Sequence, residues 1–271
     1  MVQVDKQANG NSRTAAVDAN VKKGASDRPD AKAGVAYPLR HADADPLAIK
    51  LPMVEIFETV EGEGTGAGFP TVFVRLFGCN LRCTWCDTKY SYPPEEAERV
   101  MTIGEIVEEV RTYRSTRICL TGGEPLLYGD KSAALIEALL TIDRLTDLHI
   151  ETNGAIDVVP FMERIHSPKV RYIVDYKLPD SGETGKMVVS HLAKLRKQDE
   201  LKFVIGSVRD FAEAVRVLAQ YPTEALPLFS PVWETMPPAK LVQLMLDNGL
   251  SGVKLNMQLH KIIWDPAARG V

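Results

Sequence analysis

From position 51 onward, short apolar and β-branched runs alternate with longer stretches of helical periodicity. The runs at 53–57, 71–77, 117–120, 148–151, 172–174, 201–205, 227–229 and 252–255 predict short buried strands. Between them, 102–113 opens on Thr102 as an N-cap and places Ile103, Ile106, Val107 and Val110 on one face, which predicts a helix. The same periodicity recurs at 131–142, 208–220 and 238–248, the last closed by Gly249 as its C′ residue. Strands alternating with helices of this length predict an α/β fold with a mostly parallel sheet and right-handed crossovers. No linker-like stretch interrupts 51–271, so one domain, a barrel or partial barrel, fits better than two.

The first fifty residues follow another pattern. Positions 1–38 contain no Leu, Ile or Phe, and Tyr37 is their only aromatic. Such a segment cannot bury enough apolar surface to offset its chain entropy, so 1–50 is expected to be disordered or loosely attached.

Composition narrows the class. The chain of 271 residues is 45% hydrophobic and 25% charged, with a net charge of −4, which excludes collagen-like and wholly disordered chains. No basic balance points to nucleic acid. No apolar run of about 18 residues predicts a membrane span. No apolar stretch before a small-residue cleavage site reads as an export signal, so a cytoplasmic location is expected. Three of the four cysteines, Cys79, Cys83 and Cys86, fall within eight residues, with Cys119 apart. In a reducing compartment such clustering points to metal or redox chemistry.

The cysteine segment is Gly78-Cys79-Asn80-Leu81-Arg82-Cys83-Thr84-Trp85-Cys86-Asp87-Thr88, a C-x3-C-x2-C pattern directly after a predicted strand. Three thiolates on one loop can ligate three irons of a cubane cluster and leave the fourth open, whereas clusters that only pass electrons normally use four cysteines. Zinc is the rival, but structural zinc takes four ligands and no His lies near this loop. The other polar clusters are Thr121-Gly122-Gly123-Glu124-Pro125, Glu151-Thr152-Asn153-Gly154, Asp175-Tyr176-Lys177 and Ser230-Pro231-Val232-Trp233. Each ends a predicted strand, the catalytic side of a β/α barrel. Plainer readings stand beside these. Gly122-Gly123 could be a turn, and Asp175 with Lys177 a structural ion pair. Cys119 reads as core, and His149 and His166 as packing or surface residues. His260 lies near a chain end that could close a site.

The cysteine pattern, with an aromatic before its last Cys, resembles the radical S-adenosylmethionine (SAM) superfamily, and Gly122-Gly123-Glu124 resembles the motif that holds the SAM amino group there. Thr59-Val60-Glu61-Gly62-Glu63-Gly64, and Asp87-Thr88 after Cys86, resemble the 7-carboxy-7-deazaguanine synthases within it, as does the ending His260-Lys261-Ile262-Ile263-Trp264 with Arg269-Gly270-Val271. The resemblance implies a partial (β/α) barrel of the radical SAM type. It implies a [4Fe–4S] cluster on Cys79, Cys83 and Cys86, and SAM against Trp85, Cys86, Asp87, Gly123, Glu124, Asp175, Tyr176, Lys177 and Ser230. It implies Mg²⁺ on Thr88, and a pterin against Val60, Glu61, Gly62, Arg75 and Thr121. An Arg suits a substrate carboxylate because its planar fork pairs bidentately. Two departures stand out. Many members have Gln at the position of Glu61, and the family's Ser-Pro-Lys appears as Asp175-Tyr176-Lys177, with Ser167-Pro168-Lys169 as a competing placement.

The implied reaction is that of a lyase taking 6-carboxy-5,6,7,8-tetrahydropterin to 7-carboxy-7-deazaguanine with loss of ammonia, in the queuosine pathway. A flavodoxin or ferredoxin is the implied electron donor, and a homodimer the implied assembly. An enzyme that activates glycyl-radical proteins shares the cysteine loop but leaves 59–64 and Asp87-Thr88 unexplained. A non-enzymatic iron–sulfur carrier would not cleave SAM.

Overall fold

A computed structural model of the chain describes residues 45–271. The strands are β1 (Lys50–Val60), β2 (Pro70–Leu76), β3 (Arg99–Thr102), β4 (Arg117–Gly122), β5 (Asp147–Thr152), β6 (Val170–Asp175), β7 (Glu200–Ile205), β8 (Leu226–Pro231) and β9 (Lys254–Leu255). The helices are α1 (Ile103–Thr112), α2 (Asp130–Leu139), α3 (Val159–Arg164), α4 (Val208–Gln220), α5 (Pro238–Asp247) and α6 (His260–Ile263). All nine strands join one sheet in the order β3-β1-β2-β4-β5-β6-β7-β8-β9. From β2 to β9 every neighbouring pair is parallel, while β1 runs antiparallel to both β2 and β3. The sheet is open, with β3 and β9 at its edges, so the architecture is α/β and a partial barrel.

Every predicted strand is present, with ends shifted by a few residues and the last reduced to Lys254–Leu255. Three elements lie outside the prediction: β3, α3 and the four-residue α6. The edge strand β3 buries only Met101 closely and forms because it pairs with β1, Lys50 opposite Thr102. The six-residue α3 begins on a Val-Pro pair and is too short to show a helical period.

Strand alternation divides the sheet into two chemically distinct faces. Val72, Val74, Ile118, Leu120, Leu148, Ile150, Tyr172, Val174, Leu201 and Phe203 are all at most 2% exposed and join the core with Ile106, Val110, Leu135, Leu139, Phe211 and Val217 from the helices. The intervening positions carry Arg75, Cys119, Thr121, His149, Glu151, Arg171, Asp175 and Lys202. A parallel sheet covered on both faces is normally apolar on both. Here one face carries most of the buried polar groups.

Positions 1–44 of the N-terminal segment lie outside the described residues. The stretch 45–50 belongs to the body: Asp45 caps a short 3-10 turn at Pro46–Ala48, and Ile49 O accepts from Ile103 N at 2.8 Å. That bond seats the start of α1, where a capping box completes the turn. Thr102 Oγ1 accepts from Glu105 N at 3.2 Å, and Glu105 Oε2 from Thr102 N at 2.7 Å. Thr102→Ala should cost about 1 kcal/mol and lower the melting temperature by roughly 2–4 °C, read by calorimetry. An unchanged melt would mean that the β1–β3 pairing alone holds this end.

Candidate active site

The cysteine loop leaves the C-terminal end of β2 at Gly78, whose φ of 97° lies in a region that favours glycine. It is seated by backbone contacts. Gly78 N donates to Ser91 O at 2.7 Å, and Gly78 O accepts from Glu124 N at 2.8 Å. A side chain at Gly123 would collide with the Gly78 carbonyl carbon at 2.7 Å and Cys79 Cβ at 2.8 Å, so only glycine allows the 121–125 turn this close. Gly122-Gly123 is thus more than a turn. The far side of the loop is braced by Thr84 N on Ser181 O at 3.1 Å and Arg82 N on Glu183 Oε1 at 2.5 Å. The three thiols are half-buried and border one cavity of about 780 Å³. Burial raises the pKa of Cys79, and pushes Cys83 up to about 11 against the pull of Lys177. These thiols therefore become good ligands only by losing their protons to a bound metal.

The opposite wall is charged. Lys202, on β7, is buried and lies 3.1 Å from Glu63 Oε2 and 3.2 Å from Glu151 Oε2. Burial opposes its charge, but Glu151 and Glu63 outweigh burial and hold its pKa well above the usual value. Lys177 Nζ pairs with Asp175 Oδ2 at 2.8 Å. Asp175 Oδ1 is buried without a hydrogen-bond partner, an acceptor at the cavity wall with no donor among the described residues. Phe57 and Phe73 stack at 5.1 Å and give the cavity an apolar flank.

Most of the residues singled out by sequence meet here. Val60, Glu61, Gly62, Arg75, Cys79, Cys83, Trp85, Cys86, Asp87, Thr88, Thr121, Gly123, Asp175 and Lys177 all border the cavity. Ser167-Pro168-Lys169 precedes β6 and lies at the other end of the sheet, so only Asp175-Tyr176-Lys177 is placed for a contact. Arg75 donates from Nε to Glu55 at 2.8 Å, and its terminal nitrogens make no further hydrogen bond among the described residues. Thr88 occupies the N-cap position of a 3-10 turn, yet its hydroxyl caps nothing and lies 3.7 Å from Cys86 Sγ.

Three others stand behind the wall. Glu124 is fully buried, accepting from Leu126 N, Thr152 Oγ1 and Asn153 N, and ties the glycine turn to the end of β5. Burial raises its pKa to about 7 despite those bonds. Tyr176 is buried against Phe203, and Ser230 Oγ accepts from Asn256 Nδ2 at 2.8 Å. None of the three side chains borders the cavity.

Comparison with known proteins bears on this geometry. Residues 74–175 match the model of the radical SAM superfamily. The chain is 37% identical over 221 residues to the 7-carboxy-7-deazaguanine synthase of Clostridium acetobutylicum, covering 81% of this chain and 98% of that one. It is 34% identical to the enzyme of the same name from Methanospirillum hungatei, covering 80% and 86%. The chain belongs to the 7-carboxy-7-deazaguanine synthase family. The crystal structure of QueE from Escherichia coli shares the fold, with a TM-score of 0.59 and 23% identity over 77% of this chain and 94% of that one. As a radical SAM lyase of this family, the chain uses SAM and a [4Fe–4S] cluster, and the readings as an electron carrier or a protein-activating enzyme fall away.

The family site also contains groups that the sequence reading passed over. Lys202 borders the cavity from inside a run read as an apolar strand; it meets Glu151, from the polar cluster at the end of β5, and Glu63, which accepts from Gln258 at 2.8 Å. His149 corrects its reading as a packing or surface residue: it is buried between Glu61 and Asp147, at 2.7 and 3.0 Å. Cys119 is core as expected, with burial pushing its thiol up to about 12, and it also touches the cavity floor. The available signal was a lone charged residue inside each apolar run. Among the described residues, no helix is long and apolar enough to cross a membrane.

Two outcomes test the seat of the loop. Gly123→Ala should cost about 2–4 kcal/mol or displace the loop, and should lower iron content and charge-transfer absorbance after anaerobic reconstitution. Gly252→Ala, with open space around its added methyl, serves as the control. Full cluster loading in Gly123→Ala would show that the two turns are not coupled.

Proposed function

We propose that the chain converts free 6-carboxy-5,6,7,8-tetrahydropterin to 7-carboxy-7-deazaguanine, in the cytoplasm, with loss of ammonia. The observation that carries this reading is the convergence on one cavity of the cysteine loop, Thr88, Arg75 and the 60–62 segment, which are separate in sequence. Relatives with 7-carboxy-7-deazaguanine synthase as their name, at 32–37% identity over most of the chain, support it.

Cys79, Cys83 and Cys86 would hold the cluster, and the unpartnered Asp175 Oδ1 with the Gly123 turn fits a ligand rich in donors such as SAM. When bound, this pair supplies the one-electron chemistry that removes and returns a hydrogen atom. Trp85, Asp87 and Lys177 would complete the SAM contacts, while Glu124, Tyr176 and Ser230 support the wall from behind. Arg75 offers its terminal nitrogens to the substrate carboxylate, held in place through Nε by Glu55. Thr121 adds a hydroxyl, and Val60, Glu61 and Gly62 border the ring. Thr88 offers the oxygen for Mg²⁺, an ion that prefers oxygen ligands and keeps part of its shell for substrate and water. Loss of ammonia balances the overall reaction, with no net oxidation. A flavodoxin or ferredoxin supplies the electron, and the chain acts as a homodimer.

Anaerobic reconstitution with SAM, reductant and the carboxylated tetrahydropterin should give 7-carboxy-7-deazaguanine by mass spectrometry; SAM cleavage without that product would overturn the substrate. Ala at Cys79, Cys83 or Cys86 should abolish SAM cleavage. Thr88→Val should keep the cluster and background SAM cleavage, lose about tenfold or more in product formation, and weaken stimulation by Mg²⁺. A parent-like response to Mg²⁺ would place the ion elsewhere. Arg75→Lys keeps the charge but not the fork, and should raise the apparent KM about tenfold while uncoupled SAM cleavage persists. Equal loss of both activities would mark Arg75 as structural.

A further inference from the structure

Beneath the 61–66 segment lies a line of buried charges of which only Glu61 enters the function proposed above. Glu61 is 3% exposed and His149 fully buried. Glu61 Oε2 meets His149 Nε2 at 2.7 Å, and His149 Nδ1 meets Asp147 Oδ2 at 3.0 Å. Asp147 Oδ1 accepts from Arg171 Nε at 2.7 Å, and Arg171 Nη1 donates to Glu200 Oε1 at 2.6 Å. Glu200 Oε1 accepts in turn from Thr65 N at 3.1 Å and from the Thr65 hydroxyl. The line leaves the segment at Glu61, crosses β5, β6 and β7, and returns at Thr65. It is a closed ring.

The ring decides how the segment presents its backbone. Glu61 Oε1 accepts from Gly62 N at 2.9 Å and Glu63 N at 3.2 Å, so the carboxylate gathers the amides of its own turn while Oε2 is anchored to the sheet. An imidazole with a carboxylate at each nitrogen donates twice, as only the protonated ring can. Burial opposes that charge, but the carboxylates of Glu61 and Asp147 on its two nitrogens hold the His149 pKa raised above its usual value. The groups facing the ring are Cys119 from β4, whose thiol stays protonated, Glu61 from beyond β1, and Asp147 and Glu151 on β5. Arg171 from β6 and Arg117 from β4 reach Asp147, at 2.7 and 3.5 Å.

The atoms of Glu61, Cys119 and His149 lie within 4.8 Å of one another, a set that could also attract a zinc ion. The 2.7 Å spacing of Nε2 and Oε2 is that of a shared proton. Two ligands on one tetrahedral zinc would stand roughly 3.3 Å apart.

We propose that His149 is a positioning residue: as an imidazolium between Glu61 and Asp147, it ties the 61–66 segment to the sheet in the orientation that meets the substrate. The anchoring stands on geometry alone, and its effect on the substrate rests on the function proposed above.

Hydrogen–deuterium exchange of the cluster-loaded parent, His149→Asn, His149→Gln and Glu200→Gln separates the two. In His149→Asn, peptides covering 61–66 should exchange about tenfold faster, while those covering 79–88 stay at the parent rate. His149→Gln, which can still donate one bond to Glu61, should show a smaller effect. Glu200→Gln weakens the ring at its other end and should loosen the same peptides. In turnover, His149→Asn should raise KM about tenfold and change kcat less than about twofold, with SAM cleavage at the parent level. Parent-like exchange at 61–66 in a folded His149 variant, or equal slowing of kcat and loss of cluster, would overturn the proposal. So would stoichiometric zinc that His149→Asn removes. A parent that makes no product would instead overturn the substrate, and the exchange result would still decide the anchoring.

Discussion

A strand can send only every second side chain to a given face, and this chain spends that constraint on separation. One set of positions from β2 through β7 is apolar and packs on the helices, while the other holds charge and thiol, with Phe73, Ile173 and Val204 among them. The cavity follows from this division. A charged residue on the helix side would sit unpaired in the core, and an apolar residue in place of a paired cavity charge would leave its partner without one. The buried charges are accordingly matched in sign along the floor: Lys202 with Glu63 and Glu151, Lys177 with Asp175, Arg171 with Asp147 and Glu200.

Two kinds of backbone meet at this cavity. The thiols come from an irregular loop shaped by Gly78 and by the close approach of Gly123, where carbonyl and amide groups do the holding. Most of the charged groups come from regular strands, where the ladder fixes their spacing, with Glu61, Glu63 and Lys177 just beyond strand ends. Soft thiols are thus placed by a turn, and most of the charged wall by a rigid sheet. The departure at Glu61 sits just beyond the end of β1. A carboxylate there needs donors, and it finds them in two backbone amides and His149.

Legibility followed locality. The cysteine spacing, Gly122-Gly123 and the parallel α/β order could be read because each is carried by neighbouring residues. The edge strand β3 could not, since its only reason to be extended is a partner about fifty positions earlier. Lys202 and His149 are obscured by the apolar residues beside them: a run such as Glu200-Leu201-Lys202-Phe203-Val204-Ile205 looks like a core strand until its two faces are considered apart. Glu124, Tyr176 and Ser230 show the converse. A motif places them at strand ends, but which way a side chain turns there depends on the packing behind.

The parallel part of the sheet, from β2 to β9, is ordered as the chain runs, so each strand can dock on the one before it and the sheet can grow from one end. The 61–66 segment breaks that order. Thr65 waits for Glu200, 135 positions away, and Gly64 for Asn256, 192 positions away. Loop closure makes such contacts late ones. The contact of Gly123 with Gly78 needs only β2 and β4, so this support for the cysteine loop can form while the far strands are still unmade. The cavity floor therefore acts as a completion mark: the 61–66 segment takes its final shape only after the sheet has been built through to β9.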